Sequence, residues 1–245
     1  GRGVFQLGRR PEAVAAALAK AADETDQGNF PMISREKADL AAALAHFSPG
    51  ELDCVVFGVM RGEPMEFAAK VARGRTNRMP LVTVAGSYFG ETGIALSLSD
   101  VPGKEKYGPL LPGIRTVPFF DRRAIERELS HGAAALIFEP VQVEHGGRMV
   151  LPDDLRTARR LCDEHKALLI LDETRTGFGR TGFRFACEAA DVVPDILLVG
   201  EALGAGLFPI TAAIFTQNVN RFLNAHPMIQ LSSFGGSDIG CRKFR

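Results

Sequence analysis

The chain has no tryptophan and only 2 tyrosines, against 17 phenylalanines. Phenylalanine carries no polar handle, so this set suits core filling rather than an aromatic binding platform. Cysteine is scarce too: Cys54, Cys162, Cys187 and Cys241 stand far apart, with no C-x-x-C pair. That spacing argues against a zinc site and a disulfide framework, and leaves reduced, mainly structural thiols. No apolar run approaches the length of a membrane span, and the opening GRGVFQLGRR lacks the hydrophobic stretch of a signal peptide. A soluble, cytoplasmic protein without a membrane partner is the expectation. Charge of one sign is also lacking, because 29 basic and 29 acidic residues cancel. Nothing in that balance points to nucleic acid.

What is present is enough apolar material for a sizeable core. With 245 residues and 46% hydrophobic content, one domain, or one large domain with an appendage, is expected. Pro11 opens a helical pattern over 11–23, and Ser34 caps a second pattern running to His46. A short apolar run, Cys54 to Phe57, reads as a strand, followed by helical spacing from Gly62. Further strands are predicted at Leu81 to Ala85, Ala133 to Phe138, Leu168 to Leu171, Ile196 to Val199 and Pro209 to Thr216. Helices are predicted at Asp121 to Leu129, Pro152 to His165 and Asn218 to Ala225, and a surface loop over 100–113. This strand, helix, strand alternation favours an α/β sheet, which presents its ligands at the carboxyl ends of its strands.

The stretch ALLILDETRTGFGRTGFRFACEAADVVPDILLVGEALGAG, Ala167 to Gly206, organises the rest. Its DETRTGFGRTG, PDI and GEALGAG resemble the class III family of pyridoxal-phosphate aminotransferases, whose pattern there is D-E-V-Q-T-G-F-G-R-T-G, P-D-I and a lysine before A-L-G-G-G. At the position of that lysine, which forms the family's Schiff base, this sequence has Glu201. The likeness extends along the chain through GSYFGETG, EPVQVEHGG and LSSFGG. It implies a fold type I large domain, with a mostly parallel seven-stranded sheet between helices, over residues 1–245, and with the family's C-terminal small domain absent.

Site residues follow from the resemblance position by position. Asp172 would pair with the pyridine nitrogen of pyridoxal 5′-phosphate, and Tyr88 would lie on its ring. Glu139 and Gln142 would face the site from the end of a strand. Arg175 stands where the family usually has Gln, near the ring oxygen. Ser233 matches a Thr that reaches the cofactor phosphate of the neighbouring subunit, which implies a homodimer. The phosphate turn S-G-T/A-E-A is altered: Met60, Arg61, Gly62, Glu63 and Pro64 occupy it. A helix start at Gly62 can still bind an anion through free backbone N–H groups.

Plainer readings stand beside these. Asp172 alone would pass for a turn aspartate, His145 for a solvated loop residue, and Arg180 for a loop tie. Arg61 and Arg175 read either as solvated surface residues or as members of an ion-pair cluster that, with Glu201 and Asp172, replaces the Schiff base. Glutamate cannot form an imine, so ordinary transamination of an amine and a keto acid is expected to be lost or very weak, even where the cofactor binds non-covalently. The alternatives are acid/base chemistry without the cofactor through Glu201 and Asp172, or a non-catalytic dimeric scaffold.

Overall fold

The structure is a computed structural model that describes residues 3–28, 32–200 and 202–242. Two helices open it, α1 (Glu12–Glu24) and α2 (Arg35–Phe47), the second begun by the Ser34 hydroxyl accepting the Lys37 N–H at 3.2 Å. Strand β1 (Leu52–Gly58) leads into α3 (Gly62–Thr76), then β2 (Leu81–Val84), α4 (Gly93–Leu98), β3 (Ile114–Val117), α5 (Arg122–Ser130) and β4 (Ala135–Phe138). A two-residue pair, β5 (Val141–Gln142) and β6 (Arg148–Met149), precedes α6 (Pro152–His165). The chain continues as β7 (Leu168–Asp172), β8 (Ile196–Val199), β9 (Thr211–Thr216), α7 (Gln217–Ala225) and α8 (Asp238–Arg242). No helix among the described residues is long and apolar enough to cross a membrane.

Seven strands form one sheet in the order β1-β9-β8-β7-β4-β2-β3. The β3, β2, β4, β7 and β8 neighbours are parallel, while β9 runs antiparallel to both β8 and β1. The expected mixed, mostly parallel sheet between helices is therefore present. β4, β7 and β8 are buried along their whole length, as continuous apolar runs covered on both faces must be. Alternate residues feed two core layers. Leu136, Leu169, Leu171 and Leu197 pack with residues of α5 and α6, whereas Ile137, Ile170, Ile196 and Leu198 pack with residues of α3 and α4. Phe67, Phe89, Phe138, Phe185 and Phe215 are fully buried within this core.

The sequence-derived elements need some corrections. The strand expected from Pro209 begins at Thr211, in keeping with proline's missing N–H, and the one expected from Ala133 begins at Ala135. The loop over 100–113 contains a single helical turn, Lys104–Tyr107. Helix α4, helix α8 and the β5-β6 pair were not anticipated.

The topology decides where the chemistry gathers. Phe138 pairs with Leu171, so the next residues, Glu139 and Asp172, emerge side by side from two parallel strands. Because β1 is antiparallel to β9, and β9 to β8, β1 runs with the parallel set. Its end at Gly58 therefore delivers the start of α3 to the same edge of the sheet, where open α/β folds place ligands.

Candidate functional site

At this edge two carboxylates meet one guanidinium. Arg61 sits at the N-cap of α3 in helical conformation, without a side-chain cap. Its Nη2 lies 2.9 Å from Glu139 Oε1, 3.3 Å from Asp172 Oδ2 and 2.6 Å from the Tyr88 carbonyl oxygen. The three side chains are almost wholly enclosed, at 7%, 2% and 1% exposure for Arg61, Glu139 and Asp172. The other oxygen of each carboxylate is also engaged. Glu139 Oε2 accepts the Tyr88 N–H at 2.8 Å, while Asp172 Oδ1 accepts the Thr174 N–H at 3.0 Å and its hydroxyl at 2.5 Å.

Burial and the adjacent Asp172 charge push the Glu139 carboxyl up to about 7, against the opposing pull of Arg61 and the Tyr88 N–H. Arg61 serves both carboxylates, and Glu139 takes a proton near neutrality.

Tyr88 closes the cluster. The Arg61 Cζ lies 5.0 Å from its ring centroid and the Arg175 Cζ 5.1 Å, both within cation–π range. Its phenol is raised by burial and by Glu91, whose carboxylate accepts the hydroxyl at 3.3 Å, with the two arginines opposing.

Both arginines are buried, which overturns the reading of them as solvated surface residues. They do not share partners as expected, however. Arg175 Nη1 donates to Glu144 Oε1 at 2.7 Å rather than to Asp172, and its buried Nε has no hydrogen-bond partner among the described residues.

Gln142 is buried in a supporting role. Its Nε2 donates to the Ala85 carbonyl at 2.9 Å and to Ser87 Oγ at 3.2 Å, and its Oε1 accepts Arg148 Nε at 3.0 Å. These bonds tie the β5-β6 pair to the end of β2. A side chain at Gly86, whose φ is +85°, would lie 2.6 Å from Arg148 Nη2 and 2.7 Å from Gln142 Oε1, so only glycine suits that turn.

The start of α3 differs from an open anion site. Glu63 folds back so that its Oε2 accepts the Val59 N–H, and the Met60 N–H at 3.3 Å. The helix thus supplies its own anion to the turn that precedes it. Gly62 is needed for contact: a Cβ there would lie 2.3 Å from Thr92 Oγ1. Glu66, which follows the family's pattern after the altered turn, accepts the Thr92 hydroxyl at 2.8 Å and the Ile94 N–H at 2.7 Å, and so joins α3 to α4. Its signal in the sequence was its place one turn into the helix.

Ser233 is exposed. Its neighbour Ser232 reaches α3 instead, donating to Glu63 Oε1 at 3.0 Å. His145 is exposed in its loop. Arg180 makes one long contact, 3.5 Å to the Gly3 carbonyl. Glu201 lies outside the described residues.

Comparison with known proteins identifies the family of the chain. The family described as Aminotransferase class-III matches residues 1–242. An uncharacterized aminotransferase of Archaeoglobus fulgidus is 40% identical over 239 residues, covering 98% of this chain and 56% of the relative. An ornithine aminotransferase of Toxoplasma gondii, in a structure described as revealing partial occupancy of pyridoxal phosphate (PLP) at its active site, superposes with a TM-score of 0.92. It is 30% identical, covering 99% of this chain and 59% of the other. An (S)-enantioselective omega-transaminase from Thermomicrobium roseum gives a TM-score of 0.90 at 26% identity, covering 99% and 61%. The chain thus spans little more than half the length of these relatives.

Proposed function

This chain belongs to the class III aminotransferases, whose cofactor is pyridoxal 5′-phosphate, and we propose that it is a member in which ordinary transamination has been lost. The observation that carries this reading is the absence of an amine where the resemblance puts the Schiff-base lysine: residue 201 is glutamate. A carboxylate cannot form an imine, and transfer of an amino group needs one. The nearby helix offers no substitute, since Lys70 on α3 donates to the Ile229 carbonyl at 2.8 Å and to Gln230 Oε1.

The residues at the site do not fit the cofactor ring as they stand. Asp172 and Tyr88, the positions that the resemblance assigns to the ring, are both engaged by Arg61. No step is therefore routed through the cofactor. What the site's own residues do is hold charge: Arg61 neutralises Asp172, and Glu139 takes up or releases a proton near neutral pH. The same reading takes the chain as the large domain of its family and expects a homodimer, with a small amine or keto acid as the molecule the site would meet.

One observation favours a second reading, acid/base chemistry without the cofactor: a carboxyl titrating near 7 is poised for proton transfer. Against it, both oxygens of Glu139 are already bonded and its side chain is 2% exposed, which leaves a substrate little access.

The test is direct. The purified chain, incubated with pyridoxal 5′-phosphate and reduced with borohydride, is expected to yield no pyridoxyl adduct on the peptide containing residue 201. It is also expected to give no keto-acid-dependent consumption of ornithine or an omega-amino acid. Measurable turnover with either amine would sink the reading.

A further inference from the structure

Arg61 stands at the wrong end of a helix. A cation at a helix N-terminus faces the positive end of the macrodipole and gains nothing from it, and Arg61 makes no side-chain cap there. An arginine in that position would ordinarily extend into water. Here the side chain is 7% exposed, so the inward pull comes from what it meets, which among the described residues includes two carboxylates on adjacent strands, a carbonyl oxygen and an aromatic ring.

Those partners define a chemical specification. Asp172 Oδ1 is used up by Thr174, which leaves Oδ2 to face a planar, cationic N–H donor. Glu139 Oε1 faces the same donor at 2.9 Å, and the Tyr88 ring stands 5.0 Å from the cation centre. A guanidinium meets that specification, and so does a protonated pyridine ring. The site has room for one of them, since a ring nitrogen bonded to Asp172 Oδ2 would fall where Arg61 Nη2 lies, 3.3 Å from that oxygen.

We propose that Arg61 is a built-in competitor for the cofactor ring, a tethered guanidinium that stands in for a pyridinium against Asp172 and Tyr88 and so sets what the site accepts. This deepens the reading above and rests on it. A cationic heteroaromatic phosphate ester can enter only when Arg61 swings out. A cleft of about 370 Å³ beside Met60 and Arg61, lined also by Val59, Gly206, Phe208 and Thr211, gives the side chain a place to go. The apparent affinity for such a ligand is then the intrinsic affinity reduced by the fraction of molecules with Arg61 turned away.

Pyridoxine 5′-phosphate is the suitable probe, because it has the ring and the phosphate but no aldehyde to react with surface lysines. Its dissociation constant is measured by calorimetry for the natural chain, Arg61→Gly and Arg61→Gln. Arg61→Gly is expected to bind at least about 10-fold more tightly than the natural chain, and millimolar guanidinium ion is expected to weaken that binding by refilling the vacated position. Equal affinity of the natural chain and a folded Arg61→Gly, or indifference to guanidinium, overturns the proposal. Should Arg61→Gly be too unstable to purify, Arg61→Gln serves in its place: it removes the cation while keeping a donor for Glu139, and is expected to show the same direction of change. An unchanged constant there counts equally against the proposal. The two readings fail separately, since turnover by the natural chain would refute loss of transamination, whereas these constants do not depend on turnover.

Discussion

Two neighbouring turns at the edge of the sheet each bury a carboxylate, and they neutralise it in opposite ways. After β7, Glu173 is fully enclosed and accepts the Ala186 N–H at 2.7 Å, the Cys187 N–H at 2.9 Å and the Thr176 hydroxyl at 2.8 Å. After β1, Arg61 brings a long flexible side chain to Asp172 and Glu139. Burial raises both Glu173 and Glu139, and hydrogen bonds oppose the rise in each case. The difference lies in what opposes it. Backbone amides are part of the fold and cannot leave without unfolding the loop, whereas a guanidinium on four rotatable bonds can be displaced by another cation. The first turn is a lock for the segment 173–187, and the second is an exchangeable contact.

The comparison breaks most sharply at Glu173. Glu173→Ala strands two buried amides and a hydroxyl, and is expected to cost about 4 kcal/mol of stability, read from urea unfolding at pH 7. That loss should remain when the pH is lowered, because no group near it recovers its partner by taking up a proton. A cost under about 1 kcal/mol would mean that Glu173 does not hold the loop.

Arg61→Gly is expected to cost somewhat less, about 3 kcal/mol at pH 8, because it leaves two buried carboxylates without their cation. In contrast to the first variant, the cost should shrink as the pH falls toward 5, since Glu139, whose carboxyl is raised to about 7, can then neutralise itself by protonation. Unfolding curves of the two variants at pH 5 and pH 8 make the distinction, and a loss at Arg61 independent of pH would erase it.

A third effect is intrinsic to the natural chain and needs no substitution at Arg61 or Glu173. Glu139 has a folded-state pKa of about 7, above its ordinary value of 4.5. The folded state therefore holds this proton more tightly than the unfolded state does. The resulting stabilisation is fully present below pH 4.5 and is lost as the pH rises through 7, a change of about 3 kcal/mol. Stability measured across that window should decline with this group's titration, and Glu139→Gln should flatten the decline. An unaltered slope in Glu139→Gln would assign the pH dependence elsewhere.

Much of the fold was legible because its signals are local. The apolar runs at Leu168 and Ile196 are strands because only a doubly covered strand needs to be apolar along its full length. The helix expected over Pro152 to His165 buries Leu155, Ala158, Leu161 and Cys162, which fall at helical spacing in the sequence. The Ser34 cap was readable because it spans three residues. Helix α4 was not, since its start is held by Glu66 from another helix, 28 residues away from Ile94. The β5-β6 pair escaped for a similar reason: two residues per strand leave no periodicity, and Gln142 and Arg148 hold them through side chains.

At the site, the sequence by itself determined the inventory: a glutamate at position 201, an arginine in place of a small residue at position 61, and an aspartate at the end of a buried strand. It also determined the chemistry those residues lack, because an amine is a property of a side chain and not of its surroundings. Only the tertiary structure decided the pairing. Arg61 is separated from Glu139 by 78 residues and from Asp172 by 111, and no local pattern reports a contact over that distance. The parallel register of β4 and β7 puts the two carboxylates side by side, and the direction of β1 brings Arg61 to them. Arg175, only 3 residues beyond Asp172 in the chain, turns to Glu144 instead. Charge in a buried site goes to the partner that the packing has already placed within reach, and sequence proximity has no part in that choice.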